Sequence, residues 1–213
     1  MARVLCGISG ALLLLAGLPA FTQTEDLAIG KLLVASRDLG DPNFAKTVIL
    51  LVHYNEDQGA VGLVLNKRTD VPISRVFRDL KEARGRSDLV YIGGPVELNS
   101  VQALLKSANK PPGADRVFAD VFLIGHKDVL AQTIASHAEA TVFHTYIGYA
   151  GWGAGQLEHE VEPGAWHIMP AEVGTVFHAD PDSVWERLIR RTETQIARRR
   201  GGVLQRIMLR APQ

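Results

Sequence analysis

Two apolar runs lie close together in this chain, Thr47-Val48-Ile49-Leu50-Leu51-Val52 and Ala60-Val61-Gly62-Leu63-Val64-Leu65, with the polar segment Asn55 to Gly59 between them. Each run is too short for an ordinary helix, and the first is rich in β-branched residues. A polar connector ending in glycine suits an antiparallel hairpin. A strand wet on one face alternates apolar and polar side chains, whereas both arms here are apolar almost throughout. The pattern therefore predicts a hairpin at the centre of a sheet that is covered on both faces.

The remaining segments supply the flanks. Leu32 to Ala35 reads as a strand, followed by the turn-rich loop Asp38-Leu39-Gly40-Asp41-Pro42-Asn43. Pro72 is placed to open a helix whose buried stripe is Ile73, Val76, Phe77 and Leu80. Leu89 to Ile92 reads as a strand stopped by Gly93-Gly94-Pro95, and Val117 to Gly125 as one further strand. Asp128 to Ser136 reads as a helix with Val129, Leu130, Thr133 and Ile134 inward, and Val142 to Tyr149 as a strand. Asp182 is placed to cap a last helix carrying Trp185, Leu188, Ile189 and Ile196. The segment Asn99 to Leu105 suits helix and strand equally by composition. With 213 residues, no repeat and no long linker, one α+β domain is the economical reading.

Both ends differ from this body. Arg3 precedes an uncharged run from Val4 to Thr24 with Leu12-Leu13-Leu14-Leu15 at its centre, and the small residue Ala20 lies just before the chain turns polar. This is the layout of a secretory signal peptide over residues 1–20, with an uncleaved membrane anchor as the alternative. Cleavage would remove Cys6, the sole cysteine, excluding a thiol nucleophile and suiting an oxidising compartment. At the other end, Val184 to Gln213 holds eight arginines against two glutamates. We divide the chain into a leader at 1–20, a domain at 21–190 and a basic tail at 191–213. The whole chain balances 23 basic against 23 acidic residues, which argues against a general nucleic-acid binder. Membrane contact would run through the N-terminal segment or the arginine tail.

The densest chemical signal is Gly148-Tyr149-Ala150-Gly151-Trp152-Gly153-Ala154-Gly155-Gln156-Leu157-Glu158, leading on to Gly164-Ala165-Trp166. A strand ending at Tyr149 would pass through closely spaced glycines into a helix beginning near Ala154, a geometry that can cradle a ligand with free backbone amides. It matches neither the dinucleotide nor the P-loop pattern. The bland alternative is a tight turn with Trp152 and Trp166 as core plugs. Gly93-Gly94, at another strand end, could face the same site or form a bare turn. None of the seven histidines falls in HExxH, and Glu158, His159, Glu160 and His167 lack a metal-ligand spacing, so no metal is predicted. No serine lies in GxSxG.

Taken together, Gly30 with Leu32 to Ala35, Asp41-Pro42-Asn43-Phe44, Thr47 to Leu51, Gly59 to Lys67, Tyr91-Ile92-Gly93-Gly94-Pro95-Val96, and Gly148 to Glu158 with Trp166 resemble the YqgE/AlgH family. The resemblance runs in order from about Gly30 to Arg190. It implies an α+β fold, with a largely antiparallel, bifurcated sheet curled into a pseudo-barrel and flanked by helices. It also implies a strand at Asn99 to Leu105. It supplies no catalytic residue and no cofactor, and the transcriptional-regulator label sometimes given to the family finds no helix-turn-helix pattern here. Members are taken to be cytoplasmic, whereas this chain adds the leader.

The residues themselves favour a non-enzymatic, exported or periplasmic binding or regulatory module. Its binding residues would be Asn66, Lys67, Gly93, Gly94, Gly151, Trp152, Gly153, Gly155, Gln156 and Glu158, facing a protein or small-molecule ligand. The alternatives are a cytoplasmic transcriptional regulator and an enzyme using Glu158 or a histidine in acid–base work.

Overall fold

A computed structural model describes residues 26–136 and 138–210, with side chains described through residue 198. The leader, Cys6 and His137 lie outside the described residues. The predicted hairpin is present as β2 (Val48–Asn55) and β3 (Gly59–Val64), paired antiparallel. Val48, Ile49, Leu50 and Leu51 are consecutive and all fully buried. Neighbouring strand residues point to opposite faces, so both faces of β2 are covered.

The hairpin is followed outward on one side by β1 (Lys31–Ala35) and the edge strand β10 (Trp166–Pro170), both antiparallel. On the other side lies β9 (Phe143–Trp152), then β6 (Val96–Lys106), β8 (Val121–Ile124) and the edge strand β7 (Asp115–Phe118). The strand expected from the resemblance at Asn99 to Leu105 is part of β6. A branch formed by β4 (Arg68–Pro72) and β5 (Leu89–Ile92) joins β9 through a parallel pairing of Tyr91 with Tyr146 and Ile92 with Ile147. All other pairings are antiparallel.

One edge of β9 thus serves two partners, β5 at Tyr146 and Ile147, then β3 at Ala150 to Trp152. Gly148 lies between these stretches with φ +66°, a conformation that costs an L side chain about 1–2 kcal/mol. A Cβ there would also lie 2.7 Å from the Gly94 carbonyl oxygen and 2.8 Å from that of Val96. The expected bifurcated, curled, largely antiparallel sheet with flanking helices is the observed fold. The curl brings Gly30 near the far edge of the sheet, where its hypothetical Cβ would lie 2.9 Å from the Phe118 Cβ.

The helices are α1 (Ile73–Val76), α2 (Lys127–Ala135), α3 (Gln156–Val161), α4 (Val173–Val176) and α5 (Val184–Arg210). Three expectations need correction. The helix after Pro72 stops at Val76, and the chain continues through i→i+3 bonds from Leu80 to Phe77, Ala83 to Leu80 and Arg86 to Ala83. These tight turns keep Ile73 and Ala83 buried, with Val76, Phe77 and Leu80 packed around them. The single strand over Val117 to Gly125 is instead the hairpin of β7 and β8, which reverses at Ala119 (φ +42°) and Asp120. Asp182 makes no capping bond, because it lies within a 3-10 turn, Pro181–Ser183, ahead of α5. Three of the four expected inward side chains of α5 are observed, while Ile196 is only half-buried. Trp185, Leu188 and Ile189 are buried, and the Trp185 indole donates to the Ala35 carbonyl at 2.8 Å. The boundary expected near Arg190 falls inside α5. Among the described residues no helix is long and apolar enough to cross a membrane.

Two glycines separate steric from conformational cost. At Gly59 (φ +104°) a Cβ would lie 2.1 Å from the Trp152 carbonyl oxygen, while at Gly85 (φ +81°) nothing lies within 4 Å. Gly59→Ala should lower unfolding stability by about 3 kcal/mol or more and Gly85→Ala by about 1 kcal/mol, read from urea midpoints at constant m-value.

Candidate functional site

The glycine-rich segment is organised differently from the strand-to-cradle expectation. β9 continues past Tyr149 through Gly151 and Trp152, because Val61 and Ala60 of β3 are available there as pairing partners. α3 starts at Gln156, preceded by Gly155 in the left-handed conformation (φ +71°). The turn between strand and helix closes on itself: the Gln156 side-chain oxygen accepts the Gly153 amide at 3.1 Å, and the Gln156 amide donates to the Gly153 carbonyl at 3.1 Å.

Its two tryptophans point inward. Trp152 and Trp166 are buried, with ring centroids 6.2 Å apart and planes at 84°. Phe44, from the loop before β2, stacks on Trp152 at 6.0 Å and meets the Trp166 edge at 5.9 Å. Buried indole N–H groups need acceptors, and one carboxylate serves both. Glu160 Oε2 accepts from Trp166 Nε1 at 2.8 Å and from Trp152 Nε1 at 3.1 Å, while its Oε1 accepts from Gln156 Nε2 at 3.2 Å.

The loop carrying Phe44 is also held from the end of β3. Asn66 Oδ1 accepts the Val48 amide at 2.8 Å, and Asn66 Nδ2 donates to the Lys46 carbonyl at 2.9 Å. Lys67 Nζ donates to the Asn43 carbonyl. Asp41 helps shape the loop by accepting the Asn43 amide at 2.8 Å. Asn66, Lys67, Trp152, Gly153 and Gln156 are therefore brought into one assembly through the loop Asp41 to Lys46. Its exposed rim is formed by Asp41, Pro42, Asn43, Ala45 and Lys46 on one side and by Gly153, Ala154 and Gln156 on the other.

The other predicted residues lie apart from that rim. Glu158 accepts a hydrogen bond from the Tyr54 hydroxyl at 2.7 Å. Desolvation and the Glu158 carboxylate together push the Tyr54 phenol up to about 12. Gly93 and Gly94 are buried, and a Cβ on Gly94 would lie 2.1 Å from the Tyr149 carbonyl carbon. They allow two backbones to touch. Gly151 has its hypothetical Cβ 3.1 Å from the Tyr149 ring.

Glu160, Phe44 and Tyr54 were missing from the sequence-derived set. Glu160 was visible as the i+4 neighbour of Gln156 on one helix, and Phe44 as the aromatic ending Asp41-Pro42-Asn43-Phe44. Tyr54 carried no signal, because its partner is 104 residues away.

The described histidines do not converge. Among the described residues no group of three His, Cys, Asp or Glu side chains could hold a metal ion. His144 is buried in β9, stacked on Tyr91 at 4.7 Å and tilted against Phe177 at 5.0 Å. Burial pulls its pKa down to about 4, with the Arg68 charge adding to the effect and the Ala140 and Val176 carbonyls opposing it.

The AlgH-like family profile matches residues 32–197, and the chain belongs to the AlgH-like family. A UPF0301 protein of Streptomyces avermitilis is 35% identical over 185 residues, which cover 83% of this chain and 92% of that protein. A UPF0301 protein of Chlorobaculum tepidum is 35% identical over 169 residues, covering 79% and 88% respectively. The solution structure of the AlgH protein from Pseudomonas aeruginosa is similar with a TM-score of 0.60 and 31% identity, covering 86% of this chain and 94% of that one. A Corynebacterium diphtheriae crystal structure at 23% identity shares the fold with a TM-score of 0.65, covering 82% and 94%. The names of these relatives state no activity.

Glu160→Ala strands two buried indole N–H groups and should cost about 2–4 kcal/mol, with altered tryptophan emission. Gln156→Ala leaves both indoles partnered and should cost under about 1 kcal/mol in the same unfolding assay. For His144, folding favours the neutral ring, so its contribution is intact above the ordinary value of 6.5. As pH falls from 6.5 toward about 4, stability should drop by up to about 3 kcal/mol. Urea unfolding of His144→Phe should show a shallower decline over that window.

Proposed function

We propose that this protein is an exported, non-enzymatic binding module whose recognition surface is the pair of loops Asp41 to Lys46 and Gly153 to Gln156. One observation carries the reading: the polar side chains of Glu160, Asn66, Lys67 and Gln156 are all spent on holding the two loops. Glu160 takes three donors, Asn66 ties the Val48 amide to the Lys46 carbonyl, and Gln156 closes the Gly153 turn. A rigid loop pair loses little conformational entropy when a partner docks, which favours affinity and selectivity. Acid–base work would ask for a free carboxylate beside a pocket, whereas Glu158 is engaged by Tyr54.

Export is supported by the layout of residues 1–20, a cationic start followed by an apolar run and a small residue before the polar switch. In an oxidising compartment the ligand would be an extracytoplasmic protein or small molecule, and a chromosomal target would be out of reach. The arginine tail would add contact with an anionic partner or lipid surface.

Two measurements test the two halves of this reading. Mass determination of the N-terminus from fractionated cells should find a chain beginning after Ala20 outside the cytoplasm. Recovery from Met1 or Ala2 in the cytoplasmic soluble fraction would return the regulator alternative. A thermal-shift ligand screen should yield a saturable stabiliser whose effect survives Glu158→Gln and disappears in Asn43→Ala with Lys46→Ala. Loss on Glu158→Gln alone would favour the enzyme.

A further inference from the structure

A concavity separate from the two-loop surface lies where the end of β6, the connection leading to β7, the outer face of α2 and the start of β9 meet. Its volume is about 530 Å³, within the usual range for a small-molecule site. Leu105, Pro111, Val129 and Val142 supply an apolar wall, and all four are only half-buried, so this apolar surface is in contact with water. Lys106 and Lys110 stand on the strand and loop side of the same concavity.

The charge at this place is one-sided. No aspartate or glutamate lines the concavity, and among the described residues neither lysine has an acidic partner within ion-pairing distance. The lining hydroxyls are already committed as donors: Thr133 to the Val129 carbonyl, Ser136 to the Thr133 carbonyl and Ser107 to the Asn109 carbonyl. The side-chain amides of Asn109 and Gln132 remain as neutral donors, and the two ammonium groups are the charged donors of the lining, which select anions. An apolar wall beside two unpaired cations matches a molecule with the same division.

We propose that this concavity binds a small amphipathic anion, with a carboxylate or phosphate head between Lys106 and Lys110 and an apolar tail along Leu105, Pro111, Val129 and Val142. Lysine reads an anionic head as a point charge, so head chemistry is selected by charge more than by shape. The tail contributes through removal of apolar surface from water. Binding weakens as salt is added, because the lysines are solvent-exposed.

Octanoate, octyl phosphate, neutral 1-octanol and acetate are suitable probes, each titrated into the full chain and followed by amide chemical shifts. Saturable shifts are expected for the two amphipathic anions, clustered in residues 105–112 and 129–136. Acetate and octanol should bind at least about tenfold more weakly, and Lys106→Glu with Lys110→Glu should weaken octanoate by about tenfold or more at an unchanged Tm. Saturation by octyl phosphate alone would assign the head as phosphate, and by octanoate alone as carboxylate, either supporting the site. The proposal is overturned if neither anion saturates, if octanol binds as tightly as octanoate, if the double variant binds octanoate like the parent, or if the shifts cluster elsewhere. A milder pair, Lys106→Gln with Lys110→Gln, gives the same reading should the charge reversal prevent folding.

Discussion

The architecture turns on a backbone contact with no side chain in it. Where β9 changes partner from β5 to β3, the Gly93-Gly94 turn presses against Gly148, Tyr149 and Ala150. The Gly93 amide donates to the Ile147 carbonyl and the Val64 amide to the Gly93 carbonyl, each at 2.8 Å. This links β3, β5 and β9 at one point. A methyl group on either side of the contact would force the strands apart, and the branch of β4 and β5 could not leave the main sheet where it does. The two hydrophobic clusters, one inside the curl and one beneath α2, flank this fork.

From the fork, β9 leads directly to the aromatic assembly. Its last residue, Trp152, lies over Gly62, where a Cβ would meet the Ile49 Cγ2 at 2.4 Å and the indole only at an ordinary contact distance of 3.5 Å. Phe44 covers the other face of that cluster, so an exposed loop is fastened to the core by packing, and Asn66 and Lys67 fasten the same loop by hydrogen bonds. Polar residues with the appearance of ligand contacts thus act mainly as staples, and what they position is backbone and the small exposed residues of the rim. The surface ion pairs of α5, Arg37 with Glu193 and Arg191 with Glu172, are exposed and add little beside the burial of Trp185, Leu188 and Ile189.

Sequence patterning reveals those parts of the fold where local chemistry and tertiary demand agree. The β2–β3 hairpin was legible because burial on two faces leaves an unbroken apolar run, and α2 because its stripe at Val129, Leu130, Thr133 and Ile134 has one period. The reversal at Ala119 was not legible, since an alanine at positive φ carries no turn signature and tertiary packing imposed it. The turns after Val76 present the same stripe that a helix would, which is why spacing alone misassigned them. At the site, glycine density located the right segment, but whether a glycine serves a ligand or a close approach of strands depends on residues dozens of positions away. Glu160 shows the same limit: one of three acids in Glu158-His159-Glu160-Val161-Glu162, it is singled out only by the two indoles that reach it.

The curl of the sheet ends at a place of a different kind. Gly30 lies against Val117 and Phe118, yet among the described residues no strand ladder joins β7 to β1 or β10. Among the described residues that end of the curl is therefore closed by packing and not by rungs, so the seam is held by contact area instead of β-ladder hydrogen bonds.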